Sequence, residues 1–96
     1  MKRFVVKEGY GQHMIERFQS QSLITEQPGF LKRTILEKKV RRGEEEIILL
    51  IQWESEEAWK NWEKSPAHIQ GHRERAGKPK PDFILESSNG VYYDRS

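Results

Sequence analysis

Apolar residues fall into four short runs with the composition and spacing of β-strands. They cover residues 3–7, 30–39, 47–53 and 82–93, the last interrupted near residues 88–90 by a bulge or tight turn. The second run alternates apolar and polar positions, as a half-buried strand does. A polar connection with Gly43 joins the second run to the third, as a hairpin requires. The pattern therefore predicts four strands.

The segment between the first two strands has a helical period instead. Over residues 12–21, Met14, Ile15 and Phe18 fall on one stripe, and polar residues occupy the rest of the turn. A Pro-Gly pair at residues 28–29 then marks a turn into the second strand. The sequence thus predicts one amphipathic helix whose apolar stripe covers the sheet.

Two further helix starts follow the third strand. Ser55 and Ser65 are both good N-caps. The two glutamates after Ser55 suit the positive end of a helix, and Pro66 suits a first helical position. We expect the first helix to run to about residue 64 and the second to about residue 75.

The resulting order, β-α-β-β-α(α)-β, predicts an α+β fold of ferredoxin-like type, an antiparallel sheet with helices on one face. The chain length of 96 residues predicts a single domain, residues 1–96. The strand Ile47–Trp53 is apolar on both faces, but one layer of helices covers only one face. The second face is therefore expected to meet another subunit's sheet. A short buried strand at the centre of a monomer is the alternative.

Composition narrows the class of protein. Hydrophobic residues make up 34% and charged residues 33% of the chain, and the absence of cysteine excludes disulfides, thiolate metal sites and cysteine nucleophiles. The longest apolar run, Ile47–Ile51, is far shorter than the roughly 20 residues of a membrane-spanning helix. The N-terminus lacks the roughly 7–15 apolar residues of a signal peptide, which predicts a cytoplasmic protein without a membrane segment.

Charge and motifs exclude further functions. The 17 basic and 15 acidic residues give a net charge of +2, and the basic residues are interleaved with glutamates, which argues against nucleic-acid binding. The chain has no phosphate-binding glycine loop, no Ser-His-Asp pattern and no convincing carboxylate pair. The run Glu44–Glu46 is interpreted as a solvated turn.

Three tryptophans and two histidines carry the candidate chemistry. Trp53 and Trp59 are expected in the core, whereas Trp62, close to a helix end, could form one wall of a cleft. His68 and His72 are one helical turn apart and could share a metal ion, although such a site needs a third ligand. A single histidine suffices as an axial ligand of heme iron. Two solvent-exposed histidines are the alternative.

Gly71 directly precedes His72. Glycine inside a helix costs about 1 kcal/mol relative to alanine. Its presence indicates either that the helix is ending or that something large, such as a flat porphyrin, approaches the backbone.

The segment from Trp53 to His72, WESEEAWKNWEKSPAHIQGH, resembles the IsdG-like heme-degrading monooxygenases. These belong to the antibiotic-biosynthesis-monooxygenase superfamily of dimeric ferredoxin-like proteins, which form α+β barrels. The spacing of tryptophan and histidine, with Ser-Pro between them, is the most specific part. The resemblance continues at residues 15–18, 28–31, 81–85 and 92–94 and so covers nearly the whole chain.

The resemblance implies roles for two residues. His72 matches the axial iron ligand, and Trp62 matches a tryptophan that presses on the porphyrin and helps to pucker it. The family also places an asparagine on its first strand, near the iron-bound oxygen. Counting without gaps puts that position at Lys2, and no asparagine precedes Asn61. His68 matches a position that is usually apolar, so the resemblance assigns it no role.

The implied activity is oxidative cleavage of heme, which is both cofactor and substrate, to an open-chain tetrapyrrole and free iron. It needs O2 and an external electron donor, such as a reductase, because the chain has no flavin or nicotinamide motif. The alternatives are a heme-binding protein with little turnover, a cofactor-independent monooxygenase acting on a small aromatic substrate, and a dimeric module without chemistry. The missing asparagine favours the heme-binding protein with little turnover.

Overall fold

The computed structural model describes residues 1–41, 43–76 and 81–96, without the side chains at positions 39–41, 72, 75 and 76. The predicted order of elements is confirmed, with one additional 3-10 turn. In chain order the elements are β1 (Lys2–Lys7), α1 (Gly11–Gln19), the 3-10 turn (Ile24–Glu26), β2 (Phe30–Arg41), β3 (Glu44–Trp53), α2 (Glu56–Glu63), α3 (Pro66–Ala76) and β4 (Ile84–Asn89).

The four strands form one antiparallel sheet in the order β2-β3-β1-β4. The first strand of the chain therefore lies inside the sheet, where Lys2 faces Leu49 on one side and Asn89 on the other. This topology confirms the predicted ferredoxin-like α+β fold. The assignment of residues 1–96 to a single domain stays a prediction.

The buried core lies between α1 and one face of the sheet. Met14 and Phe18 of α1 are 1% and 4% exposed, and they pack against Val6, Ile47 and Leu49. The apolar stripe predicted for this helix is confirmed, because two of its residues supply the core and the third is partly buried beside it. Apolar side chains of this kind stabilise the fold by leaving water.

The interpretation of Glu44–Glu46 as a solvated turn is wrong. Strand β3 begins at Glu44, and the side chain of Glu45 is buried. Its Oε1 accepts hydrogen bonds from the backbone N–H groups of Gly9 and Gly11, at 2.9 and 3.0 Å. Strand alternation places this carboxylate under the start of α1, where these backbone donors take the place of water.

The last strand also differs from the prediction. It runs without interruption over Ile84–Asn89, and its final two residues pair with Arg3 and Lys2. Its irregularity lies opposite the Val5–Val6 peptide bond rather than near residues 88–90. The polar residues at the end of β4 have low strand propensity. They remain in the strand because their backbone pairs with β1, a central strand, as far as Lys2. The predicted continuation over residues 90–93 is not a strand.

The face of the sheet opposite α1 carries an apolar group beside the ion pairs of Arg3 with Glu46 and Glu86. Ile48 pairs with Leu36 across β3 and β2, and Leu50 lies two residues further along the same face. Ile48 and Leu50 are partly buried, and Leu36 is 50% exposed. Residues 47–50 of β3 therefore present apolar side chains to both faces of the sheet, and the second subunit expected on the outer face stays a prediction.

Helix α3 differs from α1 in its packing. It spans 11 residues, and within the described part of the chain it contributes no side chain to the buried core. Its residue Ile69 remains 41% exposed. Across the three described ranges, no helix has the length and apolar content needed to cross a bilayer.

Candidate functional site

Helix α2 begins at the predicted cap. The Oγ of Ser55 accepts a hydrogen bond from the backbone N–H of Ala58 at 3.1 Å. At the same end, the Glu56 carboxylate lies 3.3 Å from Lys60 Nζ and accepts a hydrogen bond from the hydroxyl of Tyr93 at 3.1 Å. The bond to Lys60 and then the bond to Tyr93 lower the pKa of Glu56. The start of α2 is thus fixed by its own cap and by these two partners.

Contact with the turn before β2 holds α2 in place. Gly29 has a φ of +84°, and a Cβ built on it would lie 2.4 Å from the Cβ of Ala58, which is buried. Only glycine suits such a position, because it lacks a Cβ and adopts positive φ readily. The predicted Pro-Gly turn is therefore also the place where α2 packs against the start of β2.

Helix α3 follows α2 after a tight connection. The backbone N–H of Ser65 donates to the carbonyl of Trp62 at 3.0 Å, and Ser65 Oγ accepts from the N–H of His68 at 3.2 Å. Pro66 occupies the first helical position. The predicted start of this helix is confirmed in both its cap and its proline.

This connection brings Trp62 against His68. Their ring centroids are 5.3 Å apart and their planes meet at 69°, an edge-to-face arrangement. His68 Nε2 lies 3.4 Å from a carboxylate oxygen of Glu63, and the histidine side chain is 14% exposed. Trp62 is partly buried. Sequence reasoning missed this contact, since the pattern pairs His68 with His72 rather than with a tryptophan of the preceding helix.

His72 lies on α3, one helical turn beyond His68. Its side chain falls outside the described residues, so its role as an iron ligand stays a prediction. Among the described residues, no group of three or more His, Cys, Asp or Glu side chains could hold a metal ion.

The other two tryptophans are less buried than predicted. Trp53 and Trp59 are partly exposed, and neither belongs to the buried core. Trp53 contacts Phe30 edge to face, with 6.1 Å between ring centroids. Trp53 lies at the end of β3 and Trp59 lies on α2, and both are away from the buried core under α1.

Two shallow depressions on α2, the larger of them lined mainly by charged side chains, do not coincide with the contact between Trp62 and His68. Their volumes are about 420 and 230 Å³. The larger is lined by Glu56, Glu57, Lys60, Asn61 and Lys64, and the smaller by Pro28, Glu54, Ser55, Glu57, Ala58 and Asn61. Charged linings of this kind do not suit a large flat apolar ligand.

The contact between Trp62 and His68 lies in the part of the chain that matches a known family. Residues 1–74 match the family model described as antibiotic biosynthesis monooxygenase. The chain belongs to this family. The match takes in all of α2 and most of α3, including positions 62 and 72.

Relatives of this family member include proteins named for heme degradation. The chain is 47% identical to the heme-degrading monooxygenase HmoA of Bacillus subtilis over 96 residues, which cover 100% of this chain and 89% of HmoA. It is 30% identical over 89 residues to a heme-degrading monooxygenase of Bacillus thuringiensis, covering 93% of this chain and 80% of that protein. The family resemblance deduced from the sequence is confirmed.

Solved structures agree with the fold of this family member. The crystal structure of a Bacillus cereus protein described as an antibiotic biosynthesis monooxygenase superposes with a TM-score of 0.82 at 48% identity, covering 99% of this chain and 87% of that one. The heme degrader MhuD of Mycobacterium tuberculosis, solved with two hemes in its active site, gives a TM-score of 0.56 at 27% identity. That match covers 99% of this chain and 96% of MhuD.

Proposed function

We propose that this protein is a heme-degrading monooxygenase that cleaves the heme macrocycle and releases iron and an open-chain tetrapyrrole. The observation that carries the proposal is the contrast between α1 and α3. Helix α3 holds position 72, and none of its described side chains belongs to the buried core. The similarity to HmoA over the full chain supports the same activity.

The residues present at this position fit a heme. The imidazole of His72 would supply the one protein nitrogen that heme iron needs. The partly buried indole of Trp62 and the exposed side chain of Ile69 offer apolar surface near the start of the same helix. Bound heme supplies the redox chemistry and the iron, and it is also the substrate.

The protein's own residues then bind and orient this ligand. His72 would hold the iron from one side, and Trp62 would press on the edge of the macrocycle and bend it. O2 and electrons from an external donor, which we propose to be a reductase, complete the reaction. Counting without gaps puts Lys2 at the family's asparagine position, and strand alternation with Phe4 and Val6 puts Lys2 on the α1 face of the sheet.

A homodimer is part of the proposal. Leu36, Ile48 and Leu50 form an apolar surface on the sheet face opposite α1, and Leu36 is 50% exposed. A second copy of the same sheet would remove this surface from water. We propose that the dimer is located in the cytoplasm. A sedimentation mass of one chain at micromolar concentration would contradict the dimer.

Titration of the purified protein with hemin tests the proposal. We expect a Soret band that saturates at one heme per chain and is absent from His72→Ala. The matched control is His13→Ala, which removes an exposed histidine of α1 whose ring contacts Phe83. Loss of the band in His13→Ala but not in His72→Ala would refute the assignment of the ligand.

Addition of a reductant under air then tests degradation. The Soret band should disappear and iron should be released, which a ferrous-iron chelator reports. The absence of asparagine from β1 favours a second candidate, a heme-binding protein with little turnover. A stable Soret band under these conditions would select that second candidate.

Substitution of Trp62 separates binding from turnover. We expect Trp62→Ala to bind hemin and to degrade it more slowly, because the indole that would press on the macrocycle is removed. The measurement is the rate of Soret decay at saturating heme. Unchanged turnover would remove the role assigned to Trp62.

A further inference from the structure

The connection between α2 and α3 contains a contact that heme ligation does not explain. Trp62 lies in the last turn of α2, and His68 lies in the first turn of α3. Their rings meet edge to face at a centroid distance of 5.3 Å. Aromatic rings attract each other in this geometry beyond the area they bury, so the contact favours one orientation of the indole.

His68 has two further contacts. Its backbone N–H donates to Ser65 Oγ at 3.2 Å, which caps the start of α3. Its Nε2 lies 3.4 Å from a carboxylate oxygen of Glu63, the residue that follows Trp62. The side chain is only 14% exposed. The contacts of the ring therefore include the indole of Trp62 on one side and the carboxylate of Glu63 at Nε2.

We propose that His68 is the positioning residue of Trp62, with Glu63 orienting the imidazole. The inference rests on the proposed function, since it assigns a purpose to the orientation of an indole that faces the ligand. A fixed indole applies its pressure to the macrocycle in every binding event, whereas a loose one moves aside. His68 therefore acts on the rate of turnover and leaves heme affinity unchanged.

The contact is tested first in the heme-free protein. The chain has three tryptophans, so labelling with 5-fluorotryptophan gives three fluorine resonances, which single Trp→Phe variants assign. In His68→Ala we expect the Trp62 resonance to shift and broaden while the Trp53 resonance stays in place. His13→Ala, which removes a histidine ring that contacts Phe83, is the matched control and should move neither resonance. An unmoved Trp62 resonance in His68→Ala overturns the proposal.

Turnover provides the second measurement. We expect His68→Ala to lower kcat by about twofold to tenfold, the range of an aromatic ring contact, with hemin affinity unchanged. His68→Phe keeps a ring against Trp62 and should restore most of the rate. A loss of affinity with kcat unchanged, or a His68→Phe variant as slow as His68→Ala, contradicts a positioning role.

A double-mutant cycle tests the part assigned to Glu63. Glu63→Ala should lower kcat less than His68→Ala, and the double variant should be no slower than His68→Ala alone, because the carboxylate acts through the imidazole. Independent, additive effects would show that Glu63 does not orient His68. Failure of hemin to bind the unmodified protein would refute the proposed function, while the fluorine spectra would still report on the contact.

Discussion

Helices α1 and α3 belong to the same small fold but are used differently. Helix α1 places Met14 and Phe18 in a core from which water is excluded. Helix α3 leaves Ile69 41% exposed and gives no described side chain to that core. Among the described residues the core therefore depends on α1 and not on α3, so changes on α3 should leave the stability of the fold largely intact.

The largest expected effect on stability comes from the α1 core. Met14→Ala should lower the free energy of unfolding by about 2–5 kcal/mol, because it leaves a cavity among fully buried neighbours. Ile69→Ala on α3 should change it by less than about 0.5 kcal/mol, as surface substitutions usually do. Urea denaturation of both variants measures the difference. Equal losses would show that α3 is part of the core and would remove the contrast between the helices.

A second prediction concerns the joint between the sheet and α2. Gly29→Ala should lower the free energy of unfolding by about 1–3 kcal/mol because of the positive φ at this position. The loss should be larger still because the new Cβ would lie only 2.4 Å from the Cβ of Ala58. Gly9→Ala is the matched control, because Gly9 has a φ of +91° and open space around its Cβ position. The excess loss in Gly29→Ala over Gly9→Ala measures the contact. Equal losses would contradict close docking of α2.

The smallest effect is expected on the outer surface of α2. The pKa of Glu56 is lowered first by Lys60 and then by the hydroxyl of Tyr93. A carboxylate with a lowered pKa stabilises the fold above its ordinary pKa and loses that contribution as the pH falls through the folded value. Tyr93→Phe should therefore reduce the thermal midpoint slightly at neutral pH.

The difference between Tyr93→Phe and the unmodified protein should vanish in acid, where Glu56 is protonated. Thermal unfolding followed by circular dichroism at neutral and acidic pH provides the measurement. A difference that grows in acid would contradict the assigned partner.

The sequence predicted those features that local chemistry decides. The caps Ser55 and Ser65 and the stripe through Met14 and Phe18 follow from spacing, and the structure contains them as expected. Glu45 was misassigned because its burial depends on two backbone N–H groups brought close by α1, which no local pattern reveals.

The site was predicted less completely than the fold. The histidine spacing on α3 and the tryptophan on α2 indicated where chemistry lies. Their relation did not follow from spacing, because the turn at Ser65 decides which side chains of the two helices meet. The contact of Trp62 with His68 is a property of that turn.

The interior position of β1 has a consequence for how the chain folds. Its residue Lys2 pairs with Leu49 and Asn89, so both neighbours of the first strand are synthesised long after it. Such long-range pairings slow folding, since distant segments must meet before they gain any hydrogen bonds. On the ribosome, the β2-β3 hairpin is able to form early, whereas the sheet closes only after residues 84–89 have emerged. Until then the nascent chain leaves the edge of β1 that pairs with β4 exposed.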